Sequence, residues 1–287
     1  MRLSVFTAMM VEGRVFDGSG RKLPPYDCIE KIAGSGFEGI EWGIDDSYAL
    51  SPAAAERESE QLDRLSRQRG LETVAISSGA SVENLDDVRR MLDITASLHA
   101  PVLRVGLRRY DPALPYDEQV KRSAEQFGRA LEVSRPYHLK LLLEIHFGFL
   151  CPSPSLMQRF LAPFPPSDAG AIYDPGNMIV EGRENWKLGL EVLGDYLAHV
   201  HVKNIQWVWT DLDSKEHPTK QKHWQWQLAS LDQGMVNWEE VISALRVVGY
   251  QGWLSLEDFS TRPLGEKLTE GVAFLSRLLE NHDRSGS

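Results

Sequence analysis

Four short apolar runs in the sequence each end at a side chain of a type that binds metal ions. The four side chains are Glu144, Asp174, His201 and Glu257. Short apolar runs are typical of strands that are buried on both faces, and each would bring one carboxylate or imidazole to its carboxyl end. Three carboxylates at one point repel each other strongly unless a cation balances their charge. The pattern therefore predicts a divalent-metal site.

Side chains alternate between the two faces of a strand, so the apolar neighbours of these residues indicate the direction in which the ligands point. If the neighbouring apolar side chains face surrounding helices, all four ligands face the interior of the fold. The same parity turns further polar side chains inward, namely Glu41, Arg104, His146, His199 and Lys203. Because four separate strands give the same direction, we expect Glu144, Asp174, His201 and Glu257 to share one ion.

Strand and helix patterns alternate along the whole chain of 287 residues. Strands are predicted at residues 3–7, 39–42, 73–77, 102–106, 141–146, 171–174, 198–202 and 252–257. Amphipathic helical patterns lie between them, and the last helical pattern ends the chain. Eight such units predict an α/β fold, a closed (β/α)₈ TIM barrel that forms a single domain over residues 1–287. No Gly-x-Gly-x-x-Gly motif follows the first strand, which disfavours a dinucleotide-binding sheet.

Long segments without a periodic pattern follow four of the predicted strands, at residues 12–25, 45–52, 148–155 and 206–234. In a barrel these segments lie at the carboxyl end of the strands, where active sites are built. The last of them contains Trp207, Trp209, Trp224 and Trp226. Indole rings stack on sugars and also fill interfaces, so this segment is interpreted as a lid, a partner contact or simple packing on the rim.

The motifs around the four ligands resemble those of the xylose-isomerase-like superfamily, which contains the sugar phosphate isomerases and epimerases. They are Leu-Glu-Ile-His at 143–146, Tyr-Asp-Pro-Gly-Asn at 173–177, His-Val-His-Val-Lys at 199–203 and Ser-Leu-Glu-Asp at 255–258. The resemblance extends from Gly-Phe-Glu-Gly-Ile-Glu at 36–41 to Gly-Tyr-Gln-Gly at 249–252. It also includes residues 231–238, which resemble a glycine-containing run before the seventh helix of the family.

The resemblance implies that Glu144, Asp174, His201 and Glu257 hold one divalent metal ion, with His201 rather than His199 as the ligand. Manganese is the expected ion, with magnesium, cobalt or zinc as alternatives, because the ligands are mainly carboxylates. The resemblance further implies that Glu144 and Glu257 are the catalytic base and acid. They would move a proton next to a carbonyl through an enediolate that the metal stabilises.

Five residues are predicted to bind a small sugar-like substrate: Glu41, Arg104, His146, Asn177 and Lys203. Two positions depart from the ketose 3-epimerases of this superfamily. Asn177 stands where they carry a histidine, and Trp207 stands where they carry an arginine. Both of those family residues touch substrate, so the departures weaken a specific assignment as a ketose 3-epimerase while leaving an isomerase or epimerase in general.

The formal net charge of −10 disfavours binding to nucleic acid or to an anionic membrane surface. The two cysteines, Cys28 and Cys151, form no Cys-x-x-Cys pair, and the amino terminus shows no secretory signal. A cytoplasmic location is therefore predicted. The resemblance to the sugar isomerases and epimerases implies a role in carbohydrate metabolism. The sequence leaves open whether the chain forms a homo-oligomer.

Three rival functions follow from the same residues. A metal-dependent lyase or dehydratase acting on a keto-sugar, an inosose or a 3-keto glycoside would begin with the same proton abstraction and then lose a β-substituent. A DNA-repair endonuclease of the endonuclease IV type would need more metal-binding histidines and a basic groove, which the acidic composition disfavours. A non-catalytic barrel is disfavoured because all four ligand types are present.

Overall fold

The computed structural model describes residues 1–13, 20–210 and 223–280. Eight parallel strands are labelled β1 (Arg2–Phe6), β2 (Gly39–Ile44), β3 (Glu72–Ser81), β4 (Val102–Gly106), β5 (Lys140–Glu144), β6 (Ala169–Tyr173), β7 (Leu197–Val202) and β8 (Trp253–Leu256). Each strand pairs with the next, and β8 pairs with β1, for example through Leu3 and Leu254. The closed (β/α)₈ barrel predicted from the sequence is therefore confirmed.

The α-helices in the described part of the chain are α1 (Pro25–Ala33), α2 (Pro52–Gln68), α3 (Leu85–Ser97), α4 (Tyr116–Ser134), α5 (Pro154–Leu161), α6 (Pro175–Val180), α7 (Trp186–Leu193), α8 (Trp238–Val247) and α9 (Leu264–Glu280). Short 3₁₀ helices cover Thr7–Met9, Arg135–Tyr137 and Gly194–Tyr196. Two antiparallel pairs lie outside the barrel, Val11–Glu12 with Arg21–Lys22 and Asn204–Thr210 with His223–Ala229. Every helix in the described ranges is too short or too polar to cross a lipid bilayer.

Local sequence sets where the helices begin and end. The Ser51 side chain accepts a hydrogen bond from the Ala54 N–H at the start of α2, and the Asn84 side chain caps α3 in the same way. Gly70 follows α2 with a φ of +76°, a conformation that a residue with a side chain adopts only with strain. These signals fix the lengths of the helices that cover the barrel.

The two faces of the strands differ in chemistry. The layer between strands and helices is apolar and fully buried, as at Val5, Ile40, Leu141, Val200 and Leu254. The barrel interior instead holds buried polar side chains, which include Ser4, Glu41, Ser77, His199, His201 and Ser255. A polar interior near the carboxyl ends of the strands is typical of a barrel that carries a site there.

The strand ends differ from the sequence prediction by one or two residues. Asp174 and Glu257 each follow the last residue of a strand, and His146 lies two residues beyond the end of β5. The prediction of an irregular segment at 206–234 was wrong in part, because Asn204–Thr210 and His223–Ala229 form a β-hairpin, which we call the outer hairpin. Residues 211–222 of that prediction lie outside the described residues.

Candidate metal centre

The four predicted ligands meet at the carboxyl end of the barrel. Glu144 ends β5, Asp174 follows β6, His201 lies in β7 and Glu257 follows β8. One ligand atom from each residue can be chosen so that all four atoms lie within 4.8 Å of one another. Parallel strands point the same way, so residues from four different strands converge at one end of the barrel.

His201 turns its Nδ1 atom toward the three carboxylates. This atom lies 3.3 Å from Glu144 Oε1, 3.4 Å from Glu257 Oε2 and 3.9 Å from Asp174 Oδ2. Its Nε2 atom is 3.0 Å from Glu41 Oε1 on the other side of the ring. The Phe6 ring stacks on the imidazole with the ring centroids 5.2 Å apart. Nδ1 is therefore the atom of His201 that is placed to bind an ion.

Glu41 lies beneath His201, and its carboxylate is fully occupied. Its Oε2 is 2.8 Å from His199 Nε2, and its Oε1 accepts a hydrogen bond of 2.6 Å from the Ser77 hydroxyl in addition to the His201 contact. Glu41 is fully buried and does not line the pocket above the centre. The expectation that Glu41 binds substrate does not fit this placement. A carboxylate behind a ligand histidine suits orientation of the ring and control of its tautomer.

Two cations are already paired with the ligand carboxylates. Lys203 Nζ is 2.8 Å from both Asp174 Oδ2 and Glu257 Oε2, and Arg104 Nη2 is 2.7 Å from Glu144 Oε2. These pairs reduce the repulsion between the carboxylates when the protein holds no ion. Lys203 and Arg104 therefore have a defined partner at the centre, in addition to the substrate role predicted for them.

The pKa directions follow from this arrangement. Burial raises the pKa of the Asp174 carboxyl to about 7, and the nearby Glu257 and Glu144 add to the increase while Lys203 opposes it. Burial would also raise the pKa values of Glu144 and Glu257, but neighbouring cations lower both, Arg104 acting most on Glu144 and Lys203 most on Glu257. Two of the ligand carboxylates are thus held ionised, while Asp174 exchanges its proton near neutral pH.

Asn177 ties the ligands of β5 and β6 together. Its Nδ2 donates to Asp174 Oδ2 at 2.8 Å, to Glu144 Oε1 at 3.1 Å and to the Ile145 carbonyl at 3.2 Å. Its backbone N–H donates to Asp174 Oδ1 at 2.9 Å, which caps α6. The buried Oδ1 of Asn177 accepts no hydrogen bond from the described residues. This acceptor is free for a donor such as a hydroxyl group or a water molecule.

The donor set fits a divalent cation. Three carboxylates and one imidazole suit manganese, magnesium, cobalt or zinc, and the ligand atoms are close enough to share one ion. A second group, formed by Glu41, His199 and His201, also brings ligand atoms within 4.8 Å of one another. It is completely buried and already satisfied by internal hydrogen bonds. The group of Glu144, Asp174, His201 and Glu257 is the one that adjoins the pocket.

A pocket of about 310 Å³ lies over the centre. Its lining comprises Phe6, Tyr48, Arg104, Arg109, Glu144, His146, Phe147, Asn177, Lys203, Ile205, Trp226, Leu228, Glu257 and Phe259. Of the predicted substrate-binding residues, Arg104, His146, Asn177 and Lys203 line it. This volume is at the small end of the range for ligand sites and suits a compact molecule.

Several lining residues were missed from the sequence, notably Tyr48, Arg109, Phe147 and Phe259. Except for Phe259, which comes two residues after a ligand, they carry no motif and lie in loops after strands. Their one signal is that position in the chain, because loops after the strands of a barrel form the wall of its active site.

His146 presents a neutral imidazole to the pocket. Its Nδ1 is 2.8 Å from the Phe147 carbonyl, so this nitrogen carries the proton and Nε2 is left as an acceptor. Burial lowers the pKa of His146, and the neighbouring Glu144 only partly opposes that effect. His146 is thus suited to accept a proton or to hydrogen-bond a substrate hydroxyl.

The outer hairpin carries its four tryptophans on one face. Trp207 pairs with Trp226 and Trp209 with Trp224, and residues two apart on a strand share a face. Trp226 packs on Phe147 with ring centroids 5.2 Å apart, and Trp207 Nε1 donates to the Ile179 carbonyl. The inner pair therefore packs on the rim and completes the pocket wall. Trp209 and Trp224 stay more than half exposed, at 52% and 59%.

Comparison with known families agrees with this geometry. The profile of the xylose isomerase-like TIM barrel family matches residues 29–278. The chain therefore belongs to the xylose isomerase-like TIM barrel family. No curated protein matches the chain significantly.

Solved structures share the fold at low sequence identity. A D-psicose 3-epimerase determined in the presence of D-fructose is 15% identical, with a TM-score of 0.71 and coverage of 97% of this chain and 99% of that chain. The probable 3-DHS dehydratase of petrobactin synthesis from Bacillus anthracis is 16% identical, with a TM-score of 0.73 and coverage of 96% and 99%. A xylose isomerase-like TIM barrel protein from Mycobacterium smegmatis in complex with magnesium is 18% identical, with a TM-score of 0.68 and coverage of 98% and 97%.

Proposed function

We propose that this protein is a divalent-metal-dependent sugar isomerase or epimerase that transfers a proton next to a carbonyl group. The observation that carries the proposal is the convergence of Glu144, Asp174, His201 and Glu257 beneath a small pocket. Membership of a family with sugar isomerases and epimerases among its structural neighbours supports it. The small volume of the pocket suits a single sugar-like molecule.

When bound, the cation acts as a Lewis acid that stabilises negative charge on the substrate oxygens as the α-proton leaves. Glu144, Asp174, His201 and Glu257 would hold it, with manganese as the first ion to test and magnesium, cobalt and zinc as alternatives.

Glu144 and Glu257 are proposed as the catalytic base and acid. Both line the pocket, and nearby cations lower the pKa of each carboxyl, so both are ionised before substrate binds. Arg104 holds the Glu144 carboxylate through its Oε2 atom, and Lys203 holds that of Glu257. An ionised carboxylate in a fixed position can accept a proton from one face of a carbon. Its partner would first take up a proton from water or from a substrate hydroxyl and would then deliver that proton to the other face.

The substrate would be positioned by polar groups around the carboxylates. The Nε2 of His146 can accept a hydrogen bond from a substrate hydroxyl, and Asn177 lines the pocket beside the carboxylates. The aromatic wall of Phe6, Phe147 and Trp226 would cover the apolar face of a sugar and exclude water from the reacting carbon.

A metal-dependent lyase or dehydratase is the second candidate, and His146 is the observation that favours it. Loss of a β-hydroxyl after the same proton abstraction needs a second acid to protonate the leaving oxygen. His146 lines the pocket two residues after Glu144, and its neutral imidazole would take up the abstracted proton at Nε2 and then deliver it to the leaving oxygen. A dehydratase is also among the structural neighbours.

The test is a substrate screen with manganese-loaded protein. Aldoses, ketoses, inososes and 3-keto glycosides would be incubated with the enzyme, and the products would be read by mass and by chirality. An epimerase or isomerase conserves mass, whereas a dehydratase product is lighter by one water. A protein stripped of metal by a chelator serves as the control. Equal conversion with and without metal would contradict the proposal.

The biological setting remains a prediction. A cytoplasmic location, a place in carbohydrate metabolism and the absence of nucleic-acid and membrane partners follow from the sequence reasoning alone. A homo-oligomer is also still a prediction. It would cover the exposed indoles of Trp209 and Trp224, and gel filtration can test it.

A further inference from the structure

One arginine that lines the pocket has no acidic partner among the residues that the structure describes. Arg109 follows β4 and faces the same cavity as the metal ligands. In residues 1–13, 20–210 and 223–280 no carboxylate lies within ion-pair distance of its guanidinium, unlike Arg104 and Lys203 in the same pocket. A cationic side chain that faces a ligand cavity without a protein counter-ion is free to bind an anion.

The position of Arg109 is defined by the loop that follows β5. Arg109 and Phe149 form an isolated antiparallel β-bridge, and the Tyr110 N–H donates to the Gly148 carbonyl at 3.1 Å. The guanidinium lies over the Phe149 ring, with Cζ 5.0 Å from its centroid. Gly148 has a φ of +75°, and a Cβ atom there would come within 2.9 Å of Arg109 Nη2. The missing side chain at 148 therefore leaves the room that the guanidinium occupies.

Two ring contacts connect Arg109 to the proposed reacting centre. Phe149 packs edge-on against His146 with ring centroids 5.2 Å apart, and His146 is two residues beyond the ligand Glu144. Arg109 is thus separated from the carboxylates by two ring contacts. One ligand can touch both places because both line the same cavity.

Charge balance singles out Arg109 within the centre. With a divalent cation in place, the carboxylates of Glu41, Glu144, Asp174 and Glu257 are balanced by that cation together with Arg104 and Lys203. Arg109 then adds one positive charge that no described group in the pocket neutralises. Arg109 is exposed to solvent at the mouth of the pocket, so water solvates its charge until a ligand binds. An anionic group on the ligand would form a charge-assisted pair there, which a neutral sugar cannot form.

We propose that Arg109 binds a carboxylate on the substrate, so that the substrate class is a small sugar acid. This inference rests on the proposed function and narrows its substrate. The planar guanidinium matches a carboxylate through two parallel N–H···O bonds. A phosphate generally needs more donors, such as a glycine-rich loop, and one guanidinium suits the single charge of a carboxylate better. Arg109 would hold the acidic end while the carbon that loses its proton lies over Glu144 and Glu257.

The experiment is a calorimetric binding comparison on manganese-loaded full-length protein with three six-carbon probes. They are D-gluconate, the neutral polyol D-sorbitol and D-sorbitol 6-phosphate. A charge-assisted pair in a partly enclosed site predicts that the wild type binds gluconate about tenfold or more tightly than sorbitol. Arg109→Gln should reduce that preference to about twofold or less, and Arg109→Lys should keep part of it.

The matched control is Arg108→Gln, which removes the adjacent arginine that does not line the pocket. It should leave the gluconate preference unchanged. Equal binding of gluconate and sorbitol by the wild type, or no detectable binding of any probe, overturns the proposal. Survival of the preference in Arg109→Gln also overturns it, since the anion would then be bound by the metal. Tighter binding of the phosphate than of gluconate, lost in Arg109→Gln, overturns the choice of a carboxylate.

These measurements do not depend on turnover. If the protein converts no sugar but prefers gluconate in a way that requires Arg109, the proposed reaction is contradicted and the carboxylate-binding role of Arg109 is supported. If the protein epimerises neutral sugars and shows no preference for gluconate, the proposed reaction is supported and the role of Arg109 is contradicted.

Discussion

The two halves of the barrel contribute different things to the centre. Strands β5 to β8 supply all four candidate ligands, Glu144, Asp174, His201 and Glu257. The described residues of strands β1 to β4 and their loops supply no ligand and contribute only supporting groups, which are Phe6, Glu41, Tyr48, Arg104 and Arg109. The second half adds supporting groups of its own, Lys203, Asn177 and Trp226, which balance charge, connect ligands or close the pocket.

This difference predicts that changes to the four ligands abolish function, whereas changes to the supporting groups weaken it. The largest effect should come from Glu257→Gln, which keeps the shape of the side chain and removes its proton-accepting group. We expect turnover to fall by about 10²–10⁴-fold. Steady-state rates on whichever substrate the screen identifies would check this. The exposed Glu266→Gln variant on α9 is the control and should keep full activity. Undiminished turnover in Glu257→Gln would refute the assignment.

Metal affinity should separate a ligand from the carboxylate that orients it. Glu41→Gln disturbs the hydrogen bond to His201 Nε2 but leaves the four ligands, so manganese affinity should fall by about 10–100-fold. His201→Ala removes a ligand and should cost more. Titration followed by the manganese EPR signal measures both, with the exposed Glu38→Gln at the opposite end of β2 as control. If Glu41→Gln binds manganese with the same affinity as the wild type, the hydrogen bond between Glu41 and His201 does not strengthen manganese binding.

The pH dependence of manganese binding should show the protons that the ion displaces. In the metal-free protein the pKa of His201 lies well above its usual value, because Glu41 and Glu257 outweigh burial. The pKa of Asp174 is about 7, raised mainly by burial. Below pH 7 both groups are protonated, so binding releases two protons; above pH 7 only His201 contributes.

Each released proton changes the apparent affinity about tenfold per pH unit. The manganese affinity should therefore rise steeply with pH up to about 7 and less steeply above it. Titrations between pH 5.5 and 8.5 in two buffers of different ionisation enthalpy would measure the slope and the proton count. An affinity that does not change over this range would show that neither proton is displaced.

The smallest effect should come from the outer hairpin, whose described residues contribute part of the pocket wall but no ligand. Trp226→Leu removes the indole that packs on Phe147 in the pocket wall, so substrate affinity should weaken by about 2–5-fold without a change in manganese affinity. Trp209→Leu, which changes an exposed indole of the same hairpin, should leave both affinities unchanged. If Trp226→Leu and Trp209→Leu bind substrate with the same affinity, Trp226 does not contribute to substrate binding.

The ligand half of the centre could be predicted because its constraints are local. A metal ligand must be one of a few residue types, and a buried strand shows which way it points from its apolar neighbours. Glu144, Asp174, His201 and Glu257 each carry that signal in four or five residues. The barrel itself could be predicted for the same reason. Its strands are marked by short apolar runs, and most of its helices are marked by amphipathic periodicity and by the residues at their ends.

The inward direction of Glu41 and Arg104 could be predicted, but the contacts of the supporting groups could not, because these contacts cross the barrel. Glu41 meets His199 and His201 from positions 158 and 160 residues away in sequence, so only the closed sheet reveals the pairing. The guanidinium of Arg109 occupies space that is available because residue 148, in a different loop, is a glycine. The outer hairpin was missed although its tryptophans alternate with other residues as in a strand, because the sequence of residues 211–222 contains no short turn motif such as Asn-Gly or Asp-Gly.

The central claim is that one ion binds between the last four strands, and anomalous diffraction from a crystal of the manganese-loaded protein tests it most directly. The account predicts a single strong manganese peak at bonding distance from Glu144, Asp174, His201 Nδ1 and Glu257. A peak between Glu41, His199 and His201 instead, or no peak at either group in a crystal that contains the ion, would contradict it.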